Sequence, residues 1–266
     1  MTPLEAAFFD LDKTIIAKSS VLAFGKSLYR EGLLSRRAIV RSAYAQVIFM
    51  LVGADENKME KLRAAMLDMI RGWNQHEVAA IVREALDEVV TPIIFSEALD
   101  LIEEHQQAGR LVVIVSSAPE EVVRPLGEFL GVDDVIATRA EVDGRGDYTG
   151  ELAFYGYGPY KAEAVQAFAA REGVDLATSF AYSDSITDEP MLRAVGKPVA
   201  VNPDRELARV ARDEGWPVMK WVRPVRLRDR LPVPSRPALA VTGAVVAAGT
   251  GVAVWWWLRR RERAAE

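Results

Sequence analysis

The stretch AAFFDLDKT, residues 6–14, is a short apolar run that ends in two carboxylates. Its apolar part, Ala6 to Phe9, predicts a buried strand of a parallel sheet. Asp10 and Asp12 follow two residues apart, a spacing that puts both side chains on one side of an extended chain. Two carboxylates at one strand end repel each other unless they share a cation or a proton. The stretch therefore predicts either a functional acidic pair or a solvated acidic turn.

Further apolar runs along the chain also lead into polar residues. They are Leu111 to Val115 before Ser116, Phe180 to Tyr182 before Ser183 and Asp184, and Pro198 to Val201 before Asn202. Helical patterns lie around them, at Phe95 to Gln107, Glu120 to Leu130 and Lys161 to Arg171. Strands that alternate with helices predict an α/β fold, in which a parallel sheet carries helices on both faces. Ligands of such sheets bind at the carboxyl ends of the strands, where these polar residues fall.

Residues 18–91 differ from the rest of the chain because they have helical spacing and almost no strand pattern. Ala, Leu, Met, Arg and Glu recur there, with breaks near Gly32, Gly53 and Gly72. We interpret this region as a helical module inserted into an α/β core made of residues 1–17 and 92–222. Within the core, residues 140–154 predict a β-hairpin, since VDGRG at 142–146 supplies the turn residues.

The composition argues against several classes of function. Lys and Arg number 33 against 38 Asp and Glu, a net charge of −5, and nucleic-acid partners are not expected because phosphate contacts need a basic surface. The chain has 0 Cys and 2 His, which excludes cysteine nucleophiles, disulfides and three-histidine zinc sites. Any metal is expected to be a hard cation held by carboxylates. We interpret His76 and His105 as surface or packing residues.

Four separated motifs resemble those of one enzyme family. They are DLDKT at 10–14, Ser116 after its strand, Lys161 at a helix start, and Asp184 with Asp188 in SDSITDEPML at 183–192. This order resembles the haloacid dehalogenase (HAD) superfamily of phosphohydrolases over about residues 6–221. The segments VIVSS at 113–117, 135–152 and 183–192 are most similar to its phosphoserine-phosphatase-like branch, subfamily IB. The resemblance implies a Rossmann-like three-layer core with an inserted all-helical C1 cap, which residues 18–91 would form.

The resemblance also implies catalytic and metal-binding roles. Asp10 would be the nucleophile that forms an aspartyl-phosphate, and Asp12 would be the general acid and then the general base. Lys161 would neutralise charge that develops on the phosphoryl group. Mg2+ would be held by Asp10, the Asp12 carbonyl and Asp184.

Phosphate-binding and supporting roles follow from the same resemblance. Ser116, Ser117 and Lys161 would bind the phosphoryl group or the substrate. Thr14 would either donate to a phosphate oxygen or cap a turn. Asp188 would orient Lys161 or a metal-bound water.

Departures from the family pattern bear on the substrate. Ser117 and Ala118 stand where phosphoserine phosphatases usually have glycines, and Thr187 stands where they commonly have Asn. These changes fall near the phosphate or the substrate and put phosphoserine itself in doubt. The sequence leaves three interpretations open: a phosphatase for a phosphorylated lipid, a phosphatase for a soluble metabolite such as phosphoserine, and a non-catalytic phosphate-sensing module.

The C-terminal part of the chain predicts a membrane anchor. Residues 223–237 are rich in Arg and Pro and read as a linker, and residues 238–258 carry no charge and would span roughly 31 Å as a helix. A buried helix of a soluble domain is the alternative. Residues 259–266 form a basic tail. Gly243, Ala247 and Gly251 are four apart and could pack one such helix against another.

The start of the chain bears on orientation. Residues 1–10 lack the basic region and long apolar run of a secretory signal peptide. We therefore expect a single-pass protein anchored by its C-terminal segment, with the catalytic domain on the cytoplasmic face.

Overall fold

The computed structural model describes residues 3–33 and 56–222, and within these ranges the strands form one seven-stranded sheet. The strands are β1 Ala6–Phe9, β2 Leu111–Pro119, β3 Asp134–Val142, β4 Tyr148–Phe154, β5 Phe180–Ser183, β6 Lys197–Val201 and β7 Val218–Met219. Their order across the sheet is β4-β3-β2-β1-β5-β6-β7. All neighbours are parallel except β3 and β4, which are antiparallel. The α/β fold with a parallel sheet is confirmed.

Strand register brings the predicted site residues to one edge of the sheet. In the parallel pairs of β1, Phe9 lies beside Ile114 of β2 and Tyr182 of β5. Asp10 follows Phe9 directly. It therefore lies at the end of the sheet near Ser116 of β2 and near Asp184, which follows β5. This is the carboxyl edge, where a parallel sheet binds its ligands.

Helices fill the connections between the strands. Those within the described ranges are α1 Ser20–Arg30, α2 Glu56–Ile70, α3 Gln75–Val90, α4 Ser96–Gln107, α5 Glu120–Leu130, α6 Pro159–Glu172, α7 Glu189–Arg193 and α8 Arg205–Asp213. A 3-10 turn, Ile186–Asp188, precedes α7. Helices α1 to α3 lie between β1 and β2, inside the region that we predict to be an inserted helical module. The exact domain boundaries stay a prediction.

The two faces of the sheet bury separate apolar clusters, because successive side chains of a strand point to opposite faces. Phe9, Ile114 and Tyr182 pack on one face, with residues of α3, α4 and α5. Phe8 and Val113 pack on the other face, with residues of α6, α7 and α8. The sheet is therefore the middle of three layers, as the sequence predicts.

The β3–β4 hairpin confirms the turn predicted at 142–146. Val142 pairs with Tyr148, and the Asp143 carboxylate accepts backbone hydrogen bonds from Arg145 (2.8 Å) and Asp147 (3.1 Å). The Tyr148 N–H donates to the carbonyl of Trp73 (2.9 Å), in the connection between α2 and α3. The hairpin thus contacts the inserted helices beyond the carboxyl edge of the sheet.

Two details of the strands differ from the prediction. Strand β2 runs on from Val115 to Pro119, with a shift in its pairing to β3 between Ser116 and Pro119. Strand β7 has only 2 residues, Val218–Met219, too few for an apolar pattern to be read from the sequence.

None of the helices within residues 3–33 and 56–222 combines the length and the apolar character of a bilayer-spanning helix. The linker 223–237, the membrane segment 238–258 and the basic tail 259–266 lie outside the described residues. They stay predictions.

Candidate active site

A buried lysine joins two of the predicted carboxylates. The Lys161 Nζ donates to Asp10 Oδ1 at 2.7 Å and to Asp188 Oδ2 at 2.8 Å, and all three side chains are buried. Asp10 follows β1, Lys161 lies in the first turn of α6, and Asp188 ends the 3-10 turn after β5. The structure therefore brings together three groups that the sequence places in separate motifs.

Helix α6 begins two residues before the predicted start at Lys161. Pro159 lies in its first turn, a position where the missing N–H costs no helical hydrogen bond. Gly158 precedes it with φ 57°, a backbone conformation that favours glycine. This tight entry into the helix points the Lys161 side chain toward the ends of β1 and β5.

Buried carboxyl groups outnumber the buried lysine in this site. Burial raises the pKa of Asp10 to about 8, although the Lys161 ammonium opposes this shift. Burial also raises the pKa of Asp184 to about 7, and the nearby Lys13 only partly offsets it. For Lys161 itself, burial disfavours the charged form, but Asp10 and Asp188 outweigh burial and raise its pKa. The pocket thus holds more buried carboxylates than its lysine can neutralise.

This excess of buried carboxylates fits a divalent cation. Asp10 and Asp184 offer the hard oxygen ligands that Mg2+ prefers, and a cation near them would favour their ionised forms. Among the residues that the structure describes, no three His, Asp or Glu side chains converge as a metal cluster. The predicted set needs only these two carboxylates, because its third ligand is the Asp12 carbonyl.

The Asp12 side chain contacts the N-terminus of α1. Its Oδ1 accepts a 2.9 Å hydrogen bond from the Ser20 N–H, the first residue of that helix. Burial raises the pKa of the Asp12 carboxyl, while the bond from Ser20 opposes that shift by favouring the ionised form. The upward shift favours the protonated form, which a general acid needs.

The predicted phosphate-binding hydroxyls occupy different environments. Ser116 is buried, and its Oγ accepts the Ala118 N–H at 3.1 Å, whereas Ser117 is exposed. Thr14 is fully buried, and its hydroxyl has no hydrogen-bond partner among the described residues. A hydroxyl without a partner does not cap a turn, which favours the phosphate-binding interpretation of Thr14 over the capping one.

Sequence reasoning missed Ser183, the last residue of β5. Its Oγ donates to Asp188 Oδ2 at 2.7 Å and accepts the Ser185 N–H at 3.2 Å. The available signal was its place directly before Asp184, where a polar residue ends an apolar strand. Ser183 thus holds the Asp188 carboxylate that accepts a hydrogen bond from Lys161.

The family of the chain follows from a sequence comparison. The model of the haloacid dehalogenase-like hydrolases matches residues 7–193, a range that contains Asp10, Ser116, Lys161 and Asp188. The chain belongs to this family. This HAD-like hydrolase is 54% identical over 267 residues to the "Inhibition of morphological differentiation protein" of Streptomyces azureus, covering 99% of this chain and 96% of that protein.

Other relatives of this HAD-like hydrolase carry phosphatase names. A probable phosphatase of Mycobacterium tuberculosis (strain ATCC 25618 / H37Rv) is 52% identical over 257 residues, covering 96% of this chain and 89% of the relative. The phosphoserine phosphatase SerB1 of the same strain is 36% identical over 247 residues, covering 91% and 79%. The chain is therefore a HAD-type phosphatase, and its similarity to the phosphoserine-phosphatase-like branch is confirmed.

A solved structure supports the fold of this HAD phosphatase. A protein of unknown function from Bordetella pertussis Tohama I superposes with a TM-score of 0.72 at 29% sequence identity, covering 82% of this chain and 99% of that one.

Proposed function

We propose that this HAD phosphatase hydrolyses phosphomonoesters through a phosphorylated Asp10, with Mg2+ as its cofactor. The observation that carries the proposal is the buried contact of Lys161 with both Asp10 and Asp188 at the carboxyl edge of the sheet. Phosphoryl transfer needs positioning and charge stabilisation more than covalent chemistry, and this edge supplies an oxygen nucleophile beside a fixed cation.

In the first step, an Asp10 carboxylate oxygen attacks phosphorus and the bond from phosphorus to the ester oxygen breaks. The leaving oxygen takes a proton from the Asp12 carboxyl. Lys161 opposes the negative charge on the phosphoryl oxygens, and Ser116, Ser117 and Thr14 donate hydrogen bonds to the phosphoryl group or the substrate. Asp188 holds the lysine in place.

In the second step, a water molecule attacks phosphorus and gives its proton to the Asp12 carboxylate. The bond from phosphorus to the Asp10 oxygen breaks, so inorganic phosphate leaves and the Asp10 carboxylate is restored. Mg2+, held by Asp10, Asp184 and the Asp12 carbonyl, would supply positive charge that reduces the repulsion between carboxylate and phosphate.

The test is release of phosphate from p-nitrophenyl phosphate with Mg2+, by the wild type and by Asp10→Asn. We expect the wild type to turn over, with a phosphorylated Asp10 peptide detectable after acid quench, and Asp10→Asn to be inactive. Asp213→Asn, an exposed position at the end of α8, is the matched control. An active Asp10→Asn variant would overturn the nucleophile assignment.

For the substrate, we propose a phosphorylated lipid such as lysophosphatidate. The support is the uncharged segment 238–258, which would hold the enzyme at a membrane as a single-pass C-terminal anchor, with its catalytic domain on the cytoplasmic face. Self-association through residues 243–251 belongs to the same proposal. Anchoring raises the local concentration of a membrane-resident substrate.

A soluble metabolite is the second candidate, and the phosphoserine phosphatase name of one relative favours it. Full-length enzyme in detergent micelles should be assayed on lysophosphatidate and on phosphoserine at equal concentration. A higher kcat/KM on lysophosphatidate supports the lipid proposal, and a strong preference for phosphoserine overturns it. Membrane flotation with protease protection tests the anchor and its orientation.

A further inference from the structure

One hydroxyl joins the bulged end of β2 to the loop that follows β4, beside Ser116, which we propose to bind phosphate. The Thr138 Oγ1 donates to the Ser117 carbonyl at 2.8 Å and accepts the Gly156 N–H at 3.1 Å. Thr138 lies in β3, Ser117 near the end of β2, and Gly156 in the connection from β4 to α6. Both the donor and the acceptor capacity of this side chain are used.

The pairing of β2 with β3 explains why the side chain is needed. Ser116 pairs with Ala137, but the next pair joins Pro119 to Thr138. The two residues between Ser116 and Pro119 therefore have no paired residue in the strand register of β3. Such a bulge leaves backbone groups out of the ladder, and bulges are frequent beside active sites. The Thr138 hydroxyl takes the place of a ladder donor for the Ser117 carbonyl. The Ser116–Ala118 turn is then closed from inside by Ser116 Oγ, which accepts the Ala118 N–H at 3.1 Å.

The loop that follows β4 packs directly on the backbone of this turn. Gly156 is buried, and a Cβ added there would lie 2.7 Å from the Ser116 carbonyl oxygen and 3.3 Å from the Thr138 backbone nitrogen. Only glycine therefore allows this approach. The same loop continues through Gly158 into the first turn of α6, which carries Lys161.

We propose that Thr138 is a positioning residue that holds the Ser116–Ala118 turn against the loop leading to Lys161. This inference rests on the proposed function, because it assigns Ser116 and Lys161 to the same phosphoryl group. The two proposed phosphate-binding groups come from different elements, and the hydroxyl directly joins the end of β2, which carries Ser116, to the loop that leads to Lys161. Without it, the Gly156 N–H and the Ser117 carbonyl each lose a partner, and the separation of the two groups is no longer fixed.

The test compares Thr138→Val, which keeps the shape and removes the hydroxyl, with Thr138→Ser, which keeps the hydroxyl. Thr149→Val is the matched control, because Thr149 lies in the same hairpin and its hydroxyl makes long hydrogen bonds, to Glu141 at 3.3 to 3.4 Å and from the Glu151 N–H at 3.3 Å. The measurements are kcat/KM for p-nitrophenyl phosphate, the dissociation constant of inorganic phosphate by calorimetry, and Tm.

We expect Thr138→Val to weaken phosphate binding and to lower kcat/KM, each by about tenfold, because the hydrogen bonds to Ser117 and to Gly156 are lost together. Both quantities for Thr138→Ser should lie within about threefold of the wild-type values, and those for Thr149→Val should equal the wild-type values. Equal phosphate binding in Thr138→Val and the wild type would overturn the proposal. So would a Thr138→Ser variant as impaired as Thr138→Val, because packing of the methyl group would then explain the loss.

Failure of the proposed function gives a different result. A wild type that binds phosphate in a Thr138-dependent way but releases none from p-nitrophenyl phosphate contradicts the proposed hydrolysis and supports the positioning role. A Tm loss in Thr138→Val with unchanged phosphate affinity would show a purely structural residue and would overturn the positioning role.

Discussion

The Ser183 hydroxyl and the Lys161 ammonium donate to the same oxygen, Asp188 Oδ2, at 2.7 and 2.8 Å. Ser183 ends β5 and Asp188 lies five residues later, so a short segment holds the carboxylate that faces the lysine. The Asp188 carboxylate is thus fixed by the strand rather than by the lysine alone. The position of Lys161 depends in turn on Ser183, which acts on the lysine through Asp188.

Ser183→Ala is predicted to lower kcat more than it raises KM. Removing one donor to a buried carboxylate is worth about 1.5–3 kcal/mol, and we expect about a tenfold lower kcat because Lys161 is less well held when charge develops. Steady-state kinetics on p-nitrophenyl phosphate measure this. Ser96→Ala is the control, since the Ser96 Oγ also donates to a carboxylate, that of Glu97 at 3.1 Å, at the start of α4. Equal kcat in Ser183→Ala and the wild type would contradict the prediction.

Asp184→Asn is predicted to raise Tm at pH 8 without Mg2+. The folded-state pKa of Asp184 is about 7, above the ordinary 3.8, so ionising it opposes folding. Stability in the wild type is therefore lost as pH rises from about 4 to about 7, and the neutral amide avoids that loss. Thermal unfolding in EDTA measures the difference, which should be a few degrees. A lower Tm for the variant would contradict this account of the charges.

The same variant tests the cation site. A ligand that binds only the folded state raises Tm by mass action, so Mg2+ should stabilise the wild type and leave Asp184→Asn unshifted. The wild-type shift should shrink below about pH 7, because the Asp184 carboxyl must lose its proton before it can bind a cation. A wild type whose Tm and activity are insensitive to both Mg2+ and EDTA would contradict the proposed cofactor.

His105 is predicted to make the fold less stable in acid. The Arg110 guanidinium lies 3.3 Å from His105 Nδ1 and has only donors, so Nδ1 accepts and Nε2 carries the proton that is donated to Tyr182 OH at 2.8 Å. Burial, with Arg110 nearby, lowers the pKa of His105 to about 4. The unfolded state therefore binds its proton first as pH falls.

Because His105 is protonated first in the unfolded state, acid favours unfolding. Stability from neutral His105 is complete above about pH 6.5 and is lost progressively as pH falls toward 4. His105→Gln should show a flatter Tm between pH 7 and about 4.5 than the wild type. His76→Gln, at an exposed position in α3, is the control for replacing a histidine with glutamine. Parallel curves for His105→Gln and the wild type would contradict a neutral buried histidine.

Local patterns predicted most of the core. Ala6–Phe9 and Glu120–Leu130 have the predicted bounds, because a short apolar run and a strongly amphipathic helix each carry their own signal. The polar residues at strand ends also predicted that Asp10, Ser116 and Asp184 would lie at one edge of the sheet, and the resemblance to the HAD superfamily added Lys161 and Asp188 to that site. Parallel strands deliver their carboxyl ends to one edge whatever the details of register.

Contacts that depend on the register between strands could not be predicted from the sequence. Thr138 reaches Ser117 only because the pairing of β2 with β3 skips two residues, and no local pattern marks that shift. Ser183 looked like the end of a strand, and only the fold shows that it donates to Asp188. Such positions carry ordinary residues whose role arises from a long-range neighbour.

Gly196→Ala is predicted to destabilise the fold by close approach. A Cβ at Gly196 would overlap the Ala177 carbonyl oxygen, and the Gly196 N–H donates to Leu176 O at 2.8 Å, so the loops before β5 and β6 must separate to admit the methyl group. Overpacking of this kind costs about 1–3 kcal/mol, or about 2–10 °C in Tm. Gly144→Ala, where a Cβ meets nothing within 4 Å, is the control and should keep Tm within about 1 °C. An unchanged Tm in Gly196→Ala would show that the two loops are further apart than the structure has them.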